Sequence, residues 1–291
     1  MKRRFFSGVF QPACSIFLLI CLMVFTLPYN SFSEEKSSGE YPSTCVVHKA
    51  LSPLKIDGKL DEEYWKKAPK MEFLGIADGS VPPWNFYGKM LWDDEYFYIG
   101  FYIEDPNIWA SLDPELPEPT AWPEQHDEFV MHNDGFAKIF FDPDGDGKTY
   151  AELHINARNK VDDWYFVDPR HWVNGVDAFH KQPDNWHLEF DYKDFQSAIY
   201  VDGTVNNPKD IDRYWTLEVA FTWDSLKPIT HGNCPPKPGD VWRAHIGRVM
   251  CNAPKTRHTY YTWPVIGVVD CHRPHQWGYI VFANEYKEIV Y

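Results

Sequence analysis

Cations are scarce in this chain. Of its 291 residues, 28 are Lys or Arg against 42 Asp or Glu, a formal net charge of −14. So acidic a surface repels phosphate backbones and argues against nucleic acid as a partner. Cysteine is sparse as well. There are six, and no two form a CxxC pair or a CxxCH motif, so zinc-ribbon, dithiol-redox and covalent haem-attachment signatures are missing. Internal repeats and long stretches of helical periodicity are also lacking. The longest apolar run, Cys14 to Leu27, falls short of the roughly 20 residues that a membrane helix needs.

That run has a different reading. Lys2, Arg3 and Arg4 precede it, no charge occurs from Phe5 through Ser33, Pro28 ends it, and small residues stand at Ser31 and Ser33. This is the layout of a cleaved secretory signal over 1–33, with an uncleaved anchor as the alternative. Cys14 and Cys21 do not sit where a lipoprotein signal would place its cysteine. The expectation is a secreted or periplasmic protein with no membrane span after cleavage. Loss of three cations would take the net charge to −17. Cys45, Cys234, Cys251 and Cys271 would remain, enough for two disulfides in an oxidising compartment, with three pairings open.

A polar linker, 34–43, leads into one domain over 44–285, followed by a short tail, 286–291. Within the domain, "FYGKMLWDDEYFYIGFYIED", "YWTLEVAFTW", "DVWRAHIGRVM", "HTYYTW" and "WGYIVF" are short runs rich in aromatic and β-branched residues. Gly, Pro, Asn and Asp separate them. That pattern predicts an all-β fold, an antiparallel jelly-roll-like β-sandwich with little helix. An up-and-down barrel is the structural alternative. Helix is expected only over 61–67 and in a turn near 224–226.

The stretch "FFDPDGDGKTYAELHIN" places Asp142, Asp144 and Asp146 at alternate positions, as an EF-hand loop does. The twelfth position of such a loop needs a bidentate Glu and here holds Leu153, with Glu152 one residue short. Its flanks, "FAKIFFD" and "YAELHIN", alternate with the period of strands. The stretch therefore reads as a hairpin with an acidic turn. Calcium held by the three aspartates without EF-hand geometry is the other possibility.

Six segments, in order, carry a resemblance: "IDGKLDEEYW", "LWDDEYFYIGFYIEDPNIWA", "FFDPDGDGKTYAELHINARN", "WTLEVAFTWDSL", "PGDVWRAHIGRV" and "WPVIGVVDCHRPHQWGYIVF". Together they resemble the family 9 carbohydrate-binding module and its stand-alone secreted bacterial relatives, from about Cys45 to Phe282. The resemblance implies a jelly-roll-like sandwich that binds sugars and often carries structural calcium. It also implies two stacking tryptophans. Their matched positions fall on Met131 or His132 and on Cys271, so neither is kept. The binding strand's alternating polar residues match Glu152, His154 and Asn156, and an acid facing them corresponds to Lys138.

Side chains two apart on a strand share a face, so Glu152, His154 and Asn156 offer a row of hydrogen-bonding groups opposite Ala151, Leu153 and Ile155. A merely solvated outer face is the plain reading of the same pattern. Most of the 13 tryptophans are core candidates. Trp109, Trp122, Trp263 and Trp277 flank loops, where a flat indole can stack on a sugar ring. His272 lies in the segment that the resemblance puts beside the site. The expected function is non-catalytic binding of an oligosaccharide or polysaccharide, in polysaccharide recognition or breakdown. A glycoside hydrolase, which needs two carboxylates flanking one bond, is the alternative, and a haem-binding electron carrier a more distant one.

Overall fold

Phe97, Ile99, Phe101 and Ile103 alternate along one segment, and all four enter the same core. This is the local rule behind most of the architecture, since every second side chain of a strand points inward. The computed structural model describes residues 43–110, 134–167, 186–187, 192–251 and 258–285. Its strands are β1 Thr44–Lys49, β2 Met71–Glu72, β3 Leu74–Gly75, β4 Phe86–Trp92, β5 Tyr96–Glu104, β6 Phe136–Asp142 and β7 Thr149–Asn156. They continue with β8 Val161–Val167, β9 Trp186–His187, β10 Phe195–Asp202, β11 Tyr214–Thr222, β12 Val241–Met250, β13 Thr259–Trp263 and β14 Gly278–Glu285. The described α-helices are two short ones, α1 Glu63–Lys67 and α2 Trp223–Leu226, and none is long and apolar enough to cross a membrane.

The strands join in the order β10-β11-β5-β4-β1-β14-β12-β6-β7-β8-β9, with β2, β3 and β13 attached to the side. The sheet curls, so that β5 and β11 face β6 across the main core. Phe97 and Phe221 pack on Phe141 there, with ring centroids 5.3 and 5.8 Å apart. Most neighbours are antiparallel, but the expectation of an antiparallel sandwich needs one correction. β1 lies parallel to both β14 and β4. A parallel pairing requires a long connection; β1 is reached from its partners only through the rest of the chain or through the whole segment carrying α1, β2 and β3.

Among the described residues the four cysteines form no disulfide, unlike the two that export allows. They serve different surroundings. Cys45 lies in the main core, and burial pushes its thiol up to about 12. Cys251 is buried at the end of β12. Cys271 packs on a second apolar cluster, and Cys234 donates to the Trp223 carbonyl at 3.2 Å.

Candidate functional site

The sheet β12-β6-β7-β8 is buried on both faces. Ala137, Ile139, Phe141, Ala151, Leu153 and Ile155 point into the main core. The outer face is covered by a second cluster that includes Phe140, Tyr150, Trp164, Phe166 and Trp277. Over it runs the segment between β13 and β14. Ile266 and Gly267 both donate their N–H groups to Ile76 O at 2.9 Å, and Trp277 Nε1 donates to Cys271 O at 2.8 Å. Lys138, Glu152, His154 and Asn156 are all on this outer face, so the plain reading of a solvated face is wrong. They are buried polar groups.

Register arranges them. Lys138 stands opposite Gly247 on β12 and His154 on β7, and His154 stands opposite Asp162 on β8. One row over, His245, Phe140, Glu152 and Trp164 line up. Phe140 is the hub. The rings of His245, His272 and Trp277 lie 5.5, 5.6 and 5.3 Å from its centroid, and Lys138 Nζ lies 5.5 Å from it. His154 packs edge-on against Trp164 at 5.0 Å, and Tyr150 stacks on Phe166 at 4.7 Å.

His154 Nε2 and Glu152 Oε1 are 2.5 Å apart. Burial pushes the Glu152 carboxyl up, but His154, His272 and Lys138 outweigh it and hold the group below the ordinary value. Burial pushes His154 below the ordinary histidine value against the opposing pull of Glu152. The consistent state of this pair is an ionised Glu152 receiving Nε2–H from a neutral His154. His154 Nδ1 is then an acceptor, with no donor among the described residues. His245 is fully buried, burial drives its pKa well down, and neither ring nitrogen has a partner among the described residues. Lys138 is 1% exposed, and its Nζ has no acceptor among the described residues.

The other expected site residues divide. His272 is at the site, with Nδ1 2.9 Å from Tyr150 Oη. Asn156 shares the face but serves the β7–β8 turn. Its Oδ1 accepts from Arg158 N at 2.9 Å and Lys160 N at 3.1 Å, and its Nδ2 donates to Asp134 Oδ2 at 3.1 Å. Trp277 is no exposed platform. At 0% exposure it is a core residue of the outer cluster. Trp263 is half-buried against the main core, its ring edge lying where a Cβ on Gly278 would have to go. Trp109 is half-buried between Ile108 and Ala110, and that segment is bonded to Asn206 beyond β10, at the far end of the strand order. Trp122 lies outside the described residues, as do Met131 and His132. His245 is the site residue that the sequence reading missed. Its signal was a histidine at an alternate position of the apolar run "VWRAHIGRVM".

The acidic hairpin is a turn between antiparallel strands, with no helix on either side. Asp142, Asp144 and Asp146 bring ligand oxygens within 4.8 Å of one another, a donor set that suits a hard cation. These carboxylates already accept backbone N–H groups. Gly145 and Gly147 donate to Asp142, Asp146 donates to Asp144, and Lys148 and Thr149 donate to Asp146. Gly147, at φ +70°, also leaves room for the His275 ring, where any Cβ would collide. Arg243 donates to Pro274 O and His275 O. The hairpin thus helps to support the segment that covers the outer face.

No protein-family model matches this sequence, and no curated protein does. Solved structures do match in shape. A family 9 carbohydrate-binding module from Caldicellulosiruptor kristjanssonii, in complex with cellotriose, aligns with a TM-score of 0.51 at 14% identity, over 86% of this chain and 98% of its own. The fold is that of a family 9 carbohydrate-binding module. A candidate carbohydrate-binding protein from Bacteroides uniformis ATCC 8492 shares it, with a TM-score of 0.52 at 12% identity, over 83% of this chain and 100% of its own.

Proposed function

We propose that this protein is a secreted, non-catalytic saccharide-binding protein, and that it acts in polysaccharide recognition or breakdown. The binding surface is the outer face of β6, β7 and β8 beneath the 264–277 segment. The observation that carries the reading is the concentration of unmatched polar atoms there. Lys138 Nζ, His154 Nδ1 and both nitrogens of His245 are buried among aromatic rings without partners among the described residues. A buried polar group without a partner is costly, so such groups point to a ligand that supplies the missing bonds. A sugar fits this chemistry, because its ring offers hydroxyls at its edge and C–H faces to aromatic side chains. The shared fold with a cellotriose-bound module supports the same choice.

Affinity should lie in the micromolar to millimolar range, as expected of a small site with few anchoring contacts. A glycan array with the wild-type chain, followed by calorimetry on the ligands that bind, tests the proposal. His154→Ala should weaken binding three- to tenfold, the loss expected for a hydrogen bond worth roughly 0.5–1.5 kcal/mol. If Glu152, His154 and Lys138 can each be replaced without changing the affinity for a glycan that the wild type binds, the site lies elsewhere.

A further inference from the structure

Donors and acceptors on the outer face do not balance. Lys138 Nζ brings three N–H donors and has no acceptor among the described residues. A neutral His245 adds one unmatched donor and one unmatched acceptor, His154 adds one acceptor at Nδ1, and Asp162 Oδ2 adds another acceptor with no hydrogen bond among the described residues. The surplus is of donors, and it is gathered in one place. Lys138 Nζ and the His245 ring both lie 5.5 Å from the Phe140 centroid, His154 lies 6.4 Å from it, and Lys138 Nζ is 5.2 Å from the Tyr260 ring. Glu152 receives the His154 Nε2–H, and Asp162, across from His154 on β8, has interactions of its own although its Oδ2 accepts no hydrogen bond among the described residues. Arg243, the cation one row further along β12, is held by Pro274 O, His275 O and Tyr279 Oη.

Building on the saccharide reading, we propose that this face takes a saccharide bearing an anionic oxygen group, a uronate carboxylate or a sulfate ester, received by Lys138 Nζ beside His245. Such groups are acceptors only, whereas a hydroxyl sets one O–H donor against its two lone pairs and so relieves a donor surplus less. A buried ammonium without an acceptor is among the costliest groups a protein holds, and an anionic oxygen relieves it more fully than a neutral one. The preference is local. A net charge of −14 opposes general attraction of anions, so acidic sugars would bind in spite of the surface and because of one residue.

The test is a glycan array carrying neutral, uronate-bearing and sulfated glycans, probed with the full chain and followed by calorimetry. Calorimetric arms would compare cellobiose, cellobiouronic acid and a 6-sulfated cellobiose, with sodium acetate and sodium sulfate as anions alone. The expected result is binding at least tenfold tighter for a uronate or a sulfated sugar than for its neutral counterpart, with the two arms identifying the group. The simple salts should bind far more weakly. Lys138→Met should cost the anionic glycan at least tenfold more affinity than its neutral counterpart and so remove the preference. Hits confined to neutral glycans, or equal losses on both kinds in Lys138→Met, overturn this inference and leave the saccharide reading intact. No hit of any kind overturns both. The wild-type array decides the matter even where Lys138→Met does not fold.

Discussion

His154 and Asn156 are two residues apart on one strand, and the structure gives them different work. Asn156 spends three hydrogen bonds on its own turn and on Asp134, while His154 keeps a ring nitrogen unmatched. At roughly 1 kcal/mol for each bond lost, and more for the partners left buried, Asn156→Ala should lower unfolding stability by about 2–4 kcal/mol. Its saccharide affinity, measured on the protein that remains folded, should be little changed. Denaturant unfolding paired with calorimetry separates the two variants, and His154→Ala, which also leaves the buried Glu152 without its donor, should lower saccharide affinity as well as stability. Trp277 makes the same point for tryptophans. Fully buried against Phe140 and Tyr150, it should cost about 3–5 kcal/mol when cut to Ala, so its loss reads out as unfolding before it reads out as weak binding. Alternation along Thr149–Asn156 placed these side chains on a face correctly. It carried no information about the cover over that face, because Trp277, Ile266 and His272 arrive from more than a hundred residues downstream.

Two buried carboxylates tie local elements to the sheet and give stability a pH dependence. Asp142 anchors the acidic hairpin, and burial, with help from Asp144, pushes it up to about 7. Glu218, on β11, takes N–H groups from Asp57, Gly58 and the Trp65 indole of α1, yet burial outweighs these donors and pushes it to about 7 as well. A carboxyl whose folded pKa exceeds its unfolded value makes the folded state bind more protons. Its contribution to stability is present in full below the unfolded value, near 3.8 or 4.5, and is lost as pH rises through about 7. Unfolding free energy should therefore fall as pH rises from about 4 to about 7, and Glu218→Gln should flatten part of that slope, as denaturant melts across the range would report. A slope of the opposite sign that Glu218→Gln leaves unchanged would sink the argument. The hairpin itself was legible as a turn because period-two flanks and the missing twelfth ligand agreed. Since backbone N–H groups already hold its aspartates, Asp144→Asn should leave saccharide affinity within twofold, and EDTA should move the wild-type melting temperature by no more than about a degree.

For the molecule as a whole, short aromatic strands and sparse helix were enough to reach a β-sandwich, since side-chain period is a local property. Pairing direction is not local, and the parallel seam at β1 was invisible in the sequence for that reason. The cysteines failed as a guide for a related cause, as their number says nothing about which part of the fold each one enters. With export over 1–33 still proposed, intact mass of secreted protein should begin near Glu34 with no hydrogens lost, and four thiols should react with Ellman's reagent after denaturation. A product four hydrogens lighter would restore the disulfides. The seam has one more consequence, in time rather than space. β1 is the first described strand, and it is held on one side by β14, the last. A chain emerging residue by residue can form the β4–β5 and β6–β7 hairpins early, but its sheet cannot join across β1 until Gly278–Glu285 has been made. So late a closing contact carries a large loop entropy and slows folding, leaving an incomplete chain open for as long as it is still being synthesised.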